Sequence, residues 1–279
     1  MISSTTQDLI RPDGLSLPMR IYRTEAGQAA APVVLHLHGG AFVSGGLDSG
    51  RAVAAALADA GAVVVSLDYP LAPAHQFPQP LEAAFGSLDW LHKTRARLAS
   101  RKSRLFVAGE EAGGNLAAAL ALMARDRQGP ELAGQILLSP MLDPRMATCS
   151  MREAEAGPVG CKWADGWHEY LGSAEKAAHP YASPLSSMRL AGLAPALVVT
   201  AEDDLLRDEA ISYAARLRSA GVTVQQHVLP APTGWPCAFQ DPAGVAAPWA
   251  AAVRERVARF FAASPGLSDS AASVRPLHN

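Results

Sequence analysis

Apolar and polar positions in this chain fall in blocks. Pro32 to Leu37 (PVVLHL), 62–69 (AVVVSLDY), Leu105 to Ala108, Gln135 to Leu138 and Pro195 to Thr200 are short, nearly continuous apolar runs. None shows the strict alternation of a strand with one wet face. Such runs fit strands covered on both sides, as in a parallel sheet. Between them lie longer stretches rich in alanine and leucine: Gly50 to Ala60, stopped by Gly61, then about Pro80 to Leu98, Arg207 to Ala220 and Pro248 to Ala262. Each has helical length and spacing. A further strand is predicted at Thr223 to Leu229. Met19 to Arg23 (MRIYR) reads as an edge strand, and residues 1–17 as an edge segment or short arm. Strands alternating with helices predict an α/β protein with a doubly wound, mostly parallel sheet.

From Met141 to His179 the rhythm lapses, with Trp163, Trp167 and Tyr170 scattered among glycines. This stretch is expected to be a small inserted cap (141–179) with a short helix around Trp163 to Leu171. The aromatic spacing is that of cap packing. One domain is therefore expected over residues 1–262. Residues 263–279, small and polar, should form a disordered tail.

Composition narrows the function. The chain has 279 residues, 49% of them hydrophobic, which suffices for one large core. A formal net charge of −2 gives no basic surface for nucleic acid. Three cysteines (Cys149, Cys161, Cys237) stand at no metal-ligand spacing, so no metal and no cofactor is expected, and free thiols in a reducing, cytoplasmic compartment are. No signal-peptide pattern opens the chain, and no run reaches the ~18 apolar residues of a membrane span.

The most informative stretch is Arg104 to Leu116, RLFVAGEEAGGNL. An apolar strand enters a glycine-flanked turn and leaves as an Ala/Leu-rich helix. That is the setting of a nucleophile elbow, Gly-x-Ser-x-Gly, whose sharp turn leaves almost no room at the flanking glycines. Gly109 and Gly113 hold those positions, with Glu111 where the serine belongs.

Further motifs follow in order. HGGAF runs from His38 to Phe42, DYPLAPAHQFP from Asp68 to Pro78, YASPL from Tyr181 to Leu185, AEDDLLRDE from Ala201 to Glu209, and GWPCAF from Gly234 to Phe239. Together with GEEAGGNL they resemble the hormone-sensitive-lipase-like branch of the α/β-hydrolases, which includes many bacterial carboxylesterases. The resemblance spans Met19 to Phe261 and implies an α/β-hydrolase fold. It puts Glu111 at the nucleophile position, Asp204 at the triad aspartate and Cys237 at the triad histidine. It also implies an oxyanion hole from Gly39, Gly40 and Ala112, substrate contacts from His38, Ala41 and Phe42, and a homodimer such as relatives often form.

Ester hydrolysis needs a hydroxyl nucleophile, an imidazole to shuttle its proton and a carboxylate to orient that imidazole. Two of the three are changed here, and none of the eight histidines is well placed to substitute. Cys237 then reads as a small buried thiol filling the imidazole's space. Glu111 should curl back into the oxyanion hole as an anion, its donors outweighing repulsion. The leading expectation is a repurposed enzyme acting on a small molecule, with Glu111 as acid, base or electrostatic group. The alternatives are an inactive small-molecule-binding protein and an atypical carboxylic-ester hydrolase.

Overall fold

The apolar runs form the strands of one eight-stranded sheet: β1 (Ile2–Ile10), β2 (Ser16–Thr24), β3 (Val33–Leu37), β4 (Val63–Leu67), β5 (Leu105–Glu110), β6 (Gly134–Leu138), β7 (Ala196–Ala201) and β8 (Val224–Leu229). The structure is a computed structural model that describes residues 2–10, 14, 16–25, 30–153, 157–241 and 246–264. Residues 265–279 of the expected tail lie outside that set. Strand order is β1-β2-β4-β3-β5-β6-β7-β8. β1 pairs antiparallel with β2 and β2 with β4, while every later pairing is parallel. Met19 to Arg23 is therefore not the edge. Ile2–Ile10 pairs along its outer side and takes that place.

The helices are α1 (Arg51–Asp59), α2 (Gln79–Leu98), α3 (Glu111–Asp126), α4 (Cys149–Glu153), α5 (Gly157–Leu171), α6 (Arg207–Ser219) and α7 (Pro248–Ala263). Successive strand side chains point to opposite faces, so the sheet divides the core in two. Leu35, Leu37, Val65, Val107 and Val198 pack with α2, α3 and α6 on one face, and Val34, Val64, Phe106, Ala108 and Val199 with α1 and α7 on the other. Helices on both faces are why β3 to β7 carry no polar alternation, whereas β2 alternates. No helix among the described residues is long and apolar enough to cross a membrane.

Between β6 and β7 the chain leaves the sheet to form α4, α5 and a short 3₁₀ turn (Ala174–Ala178). The helix expected from Trp163 begins six residues earlier, at Gly157. Two buried polar side chains tie this excursion down. Asn115 Nδ2 donates to the carbonyls of Met141 and Ala182, and Glu209 Oε2 accepts from the N–H groups of Leu142 and Asp143.

Among the described glycines, Gly113 leaves a Cβ the least room, where α3 meets β3. A Cβ added at Gly113 would sit 1.9 Å from the Leu37 carbonyl oxygen, and one at Gly109 would sit 2.2 Å from the carbonyl oxygen of Gly113. Both obstacles are backbone, so neither can step aside. Gly113→Ala should therefore destabilise the protein by about 3 kcal/mol or more, at or beyond the usual cost of overpacking. Gly46→Ala, whose Cβ would meet only Asp68 Oδ1 at 3.5 Å, should be close to neutral. Urea denaturation of both variants checks the contrast.

Candidate functional site

The turn from β5 into α3 places Glu111 at φ 52, a left-handed conformation strained for a side-chain-bearing residue. The side chain is turned inward and is 4% exposed. Its two oxygens have separate partners. Oε2 accepts from the Gly40 N–H at 2.5 Å, and Oε1 accepts from the Trp163 indole N–H at 2.5 Å. The expected curl toward the glycine loop is what the geometry shows. Trp163 was not expected at the site. It lies 52 positions away on α5, and its spacing reads as cap packing.

The glycine loop is held from two sides. Ala41 (φ 52) and Phe42 (φ 66) are consecutive left-handed residues, and the N–H groups of Val43 and Ser44 both return to the Gly40 carbonyl. From α5, Gly166 lies so close that a Cβ there would be 2.2 Å from the Ala41 carbonyl. Phe42 stacks on Tyr170 at 4.0 Å and meets Trp167 at 4.9 Å. From the sheet, Glu110 Oε1 accepts from the Gly39 N–H at 3.1 Å, and Glu110 Oε2 lies 2.8 Å from His36 Nε2. His36 Nδ1 in turn meets Ser66 Oγ at 2.9 Å. This buried Ser66–His36–Glu110 chain also went unread in the sequence. Its members lie on three neighbouring strands, and only the strand order brings them together.

Several expected roles change here. The Gly39 N–H is committed to Glu110, so of Gly39, Gly40 and Ala112 only Gly40 bonds the Glu111 carboxylate. His38, Ala41 and Phe42 are fully buried, and protein packing takes up their side chains. His38 stacks on Tyr69 at 4.4 Å with Nδ1 2.7 Å from the Gly39 carbonyl, and the Tyr69 hydroxyl donates to the His38 carbonyl at 2.8 Å. None of the three offers a free surface to a substrate.

Asp204 is 1% exposed. It accepts from Ser139 Oγ at 2.8 Å, Thr200 Oγ1 at 2.5 Å and the Leu206 N–H at 2.9 Å. Among the described residues none of its hydrogen bonds, and none of Glu111's, goes to a histidine or to Cys237. Cys237 opens a 3₁₀ turn (Cys237–Gln240) and is exposed, contrary to the buried thiol expected. The loop before it is anchored by the other acid of the pair, Asp203, which accepts from Thr233 and Gly234. Three partners satisfy Asp204 without any imidazole, which leaves Cys237 free to face solvent. No group of three or more His, Cys, Asp or Glu side chains among the described residues could hold a metal ion.

Burial pushes the carboxyls of Glu111 and Asp204 above the usual range, their donors pulling the other way. For Glu111 the donors outrank like-charge repulsion, as expected, but burial outranks both. Desolvation outweighs the Trp163 and Gly40 donors, Lys162 helps the anion and Glu110 opposes it. The chemical inventory is thus a buried, donor-clamped carboxyl at the elbow and a second, self-satisfied one 93 positions later. No imidazole among the described residues joins them.

A family model described as alpha/beta hydrolase fold matches residues 34–233. The chain is 37% identical over 220 residues to carboxylesterase NlhH of Mycobacterium tuberculosis, covering 76% of this chain and 69% of that protein. It is 34% identical over 226 residues to an arylesterase of Saccharolobus solfataricus, covering 78% and 72% respectively. A solved thermostable esterase from Pseudomonas putida ECU1011 aligns with a TM-score of 0.83 at 30% identity, covering 95% of this chain and 84% of that one.

The buried carboxyls set a pH dependence, clearest for Glu209. Burial raises it to about 8 from an ordinary 4.5. The folded protein then keeps a proton that the unfolded chain has already released. Glu209's contribution to stability is full below about pH 4.5 and fades as pH rises through about 8, with a slope of up to ~1.4 kcal/mol per pH unit. Glu209→Gln should flatten the fall in stability between pH 5 and 8 by about that slope. Denaturant midpoints at each pH, for wild type and variant, provide the check.

Proposed function

This chain belongs to the α/β-hydrolase family, and we propose that it has kept the family's scaffold while giving up ester hydrolysis in favour of binding a small molecule. Relatives 37% and 34% identical to this chain are named as esterases, so the ancestral chemistry in this reading is acyl transfer from an ester. Three features of the site oppose it. Glu111 stands at the nucleophile position, where attack on an ester would leave an anhydride. Its carboxylate occupies the Gly40 N–H that would otherwise meet the oxyanion. Both oxygens of Asp204 accept from Ser139, Thr200 and Leu206, and among the described residues it orients no base.

The observation that carries this reading is the clamp on Glu111, one donor to each oxygen at 2.5 Å in a buried setting. A group that must attack or shuttle protons needs access to the reacting atoms. This one faces only protein. The rival reading, a repurposed small-molecule enzyme, draws on the upward push that burial gives the Glu111 carboxyl, which suits a general acid. It requires that carboxyl to leave Trp163 and Gly40 before each turnover. An esterase with Glu111 as a covalent nucleophile asks the same and also lacks a base for the second half-reaction.

Disabling a serine triad usually removes on the order of 10⁴ to 10⁶ in turnover. The protein should therefore hydrolyse p-nitrophenyl acetate near the background rate and fail to react with a fluorophosphonate probe. Turnover of ~1 s⁻¹ or more, as in ordinary enzymes, or stoichiometric labelling would refute the proposal.

A further inference from the structure

We propose that the ligand of this site is a small monocarboxylate, which displaces the Glu111 side chain and takes over its hydrogen bonds from the Gly40 N–H and the Trp163 indole. This identification of the ligand rests on the binding reading above. It starts from where the two donors point. A hole for one developing oxyanion aims its donors at a single atom. Here Gly40 and Trp163 each hold a different oxygen of one carboxylate, both at 2.5 Å. Donors spaced to the bite of a planar carboxylate select a group with two acceptor oxygens. An ester carbonyl has one oxygen in that place, and an amide presents one acceptor and one donor.

The donors are fixed and the occupant is movable. Gly40 sits in a turn closed by Val43 and Ser44. Trp163 rides on α5, which Gly166 and the Phe42–Tyr170 stack press onto that turn. Glu111 has a flexible side chain whose only hydrogen bonds among the described residues are these two. Its carbonyl bond to the Met141 N–H is main-chain and survives a swing of the carboxyl. Glu110 and Asp204 differ, since moving either would strand several buried partners. The site therefore consists of two rigid donors and one exchangeable anion that resembles the ligand.

Charge sets the condition for exchange. Two carboxylates cannot both remain ionised in this space, because Glu110 beside them is also acidic and Lys162 on α5 supplies a single positive charge. Tyr69 feels both glutamates as well, and it stacks against the buried His38 ring. A carboxylate must therefore arrive with one proton, which settles on the displaced Glu111. Burial already pushes that group toward its neutral form. Affinity should rise as pH falls, by up to about tenfold per pH unit while Glu111 is ionised in the free protein.

The test uses the full chain, acetate and propionate as probes, acetamide as control and the Trp163 indole N–H resonance as readout. In wild type, acetate should shift that resonance saturably and more tightly at pH 6 than at pH 8, with no response to acetamide. Glu111→Ala removes the competitor, so it should bind acetate at least about tenfold more tightly than wild type at pH 8 and lose the pH dependence. Adding Trp163→Phe to Glu111→Ala should cost tenfold or more, the loss of one hydrogen bond to a charged group, read by thermal shift. Wild type that ignores acetate across this pH range makes Glu111 a permanent plug and overturns the proposal. So does Glu111→Ala that folds yet binds acetamide as well as acetate. If Glu111→Ala does not fold, the wild-type titration alone decides. Esterase turnover would sink the binding reading itself. Absent turnover with no response to acetate would sink only the ligand assigned here.

Discussion

The approach of α3 to the end of β3 is the constraint from which the rest of the site follows. With the Leu37 carbonyl where a Cβ of residue 113 would lie, the helix can start only after an abrupt reversal of the chain. That reversal forces Glu111 into the left-handed region and aims its side chain across the sheet's edge at the glycine loop. The strain is sustained because the elements on both sides are buried. β5 is central in the sheet, and α3 is covered along nearly its whole length. A carboxyl delivered there meets whatever N–H groups the neighbouring loop and the overlying helix present.

Those neighbours are themselves determined by packing. Glu110, one residue earlier, faces the opposite way and draws Gly39 and His36 to it, which settles the direction of the Gly40 N–H. The two adjacent glutamates thus divide the loop. Glu110 is tied to the sheet through His36 and Ser66, and Glu111 is tied to α5 through Trp163. With one carboxyl 0% and the other 4% exposed, water contributes little to holding either. Each depends on the placement of protein donors, since an unpaired buried carboxylate would be costly.

How much of this could be read in the sequence depended on the range of the signal. The elbow was legible because Gly109, Glu111 and Gly113 are neighbours and the steric demand on the glycines is local. The parallel sheet was legible from runs such as PVVLHL, since burial on both faces marks every residue in them. Trp163 was not. An indole at helical spacing looks the same whether it fills a core or reaches a carboxylate, and only the return of α5 over the loop distinguishes the two. The stretch before Met19 to Arg23, ISSTTQDLI, is too polar to stand out as a strand. β1 is a strand nonetheless, held by nine residue pairs with β2 while most of its side chains stay in solvent. Cys237 shows the limit of motif reading. Its position in GWPCAF implied a buried partner for Asp204, whereas Asp204 had already found Ser139, Thr200 and Leu206 nearby in the fold.

The way Asp204 is held bears on how such a site can change over evolutionary time. Its three donors come from the end of β7, the residue just past β6 and the start of the following turn, and a histidine is not among them. Asp204 therefore stays paired whatever residue stands at position 237, and the fold can tolerate change there without a compensating change at the aspartate. Stability does not tie the two positions together, so they are free to vary separately.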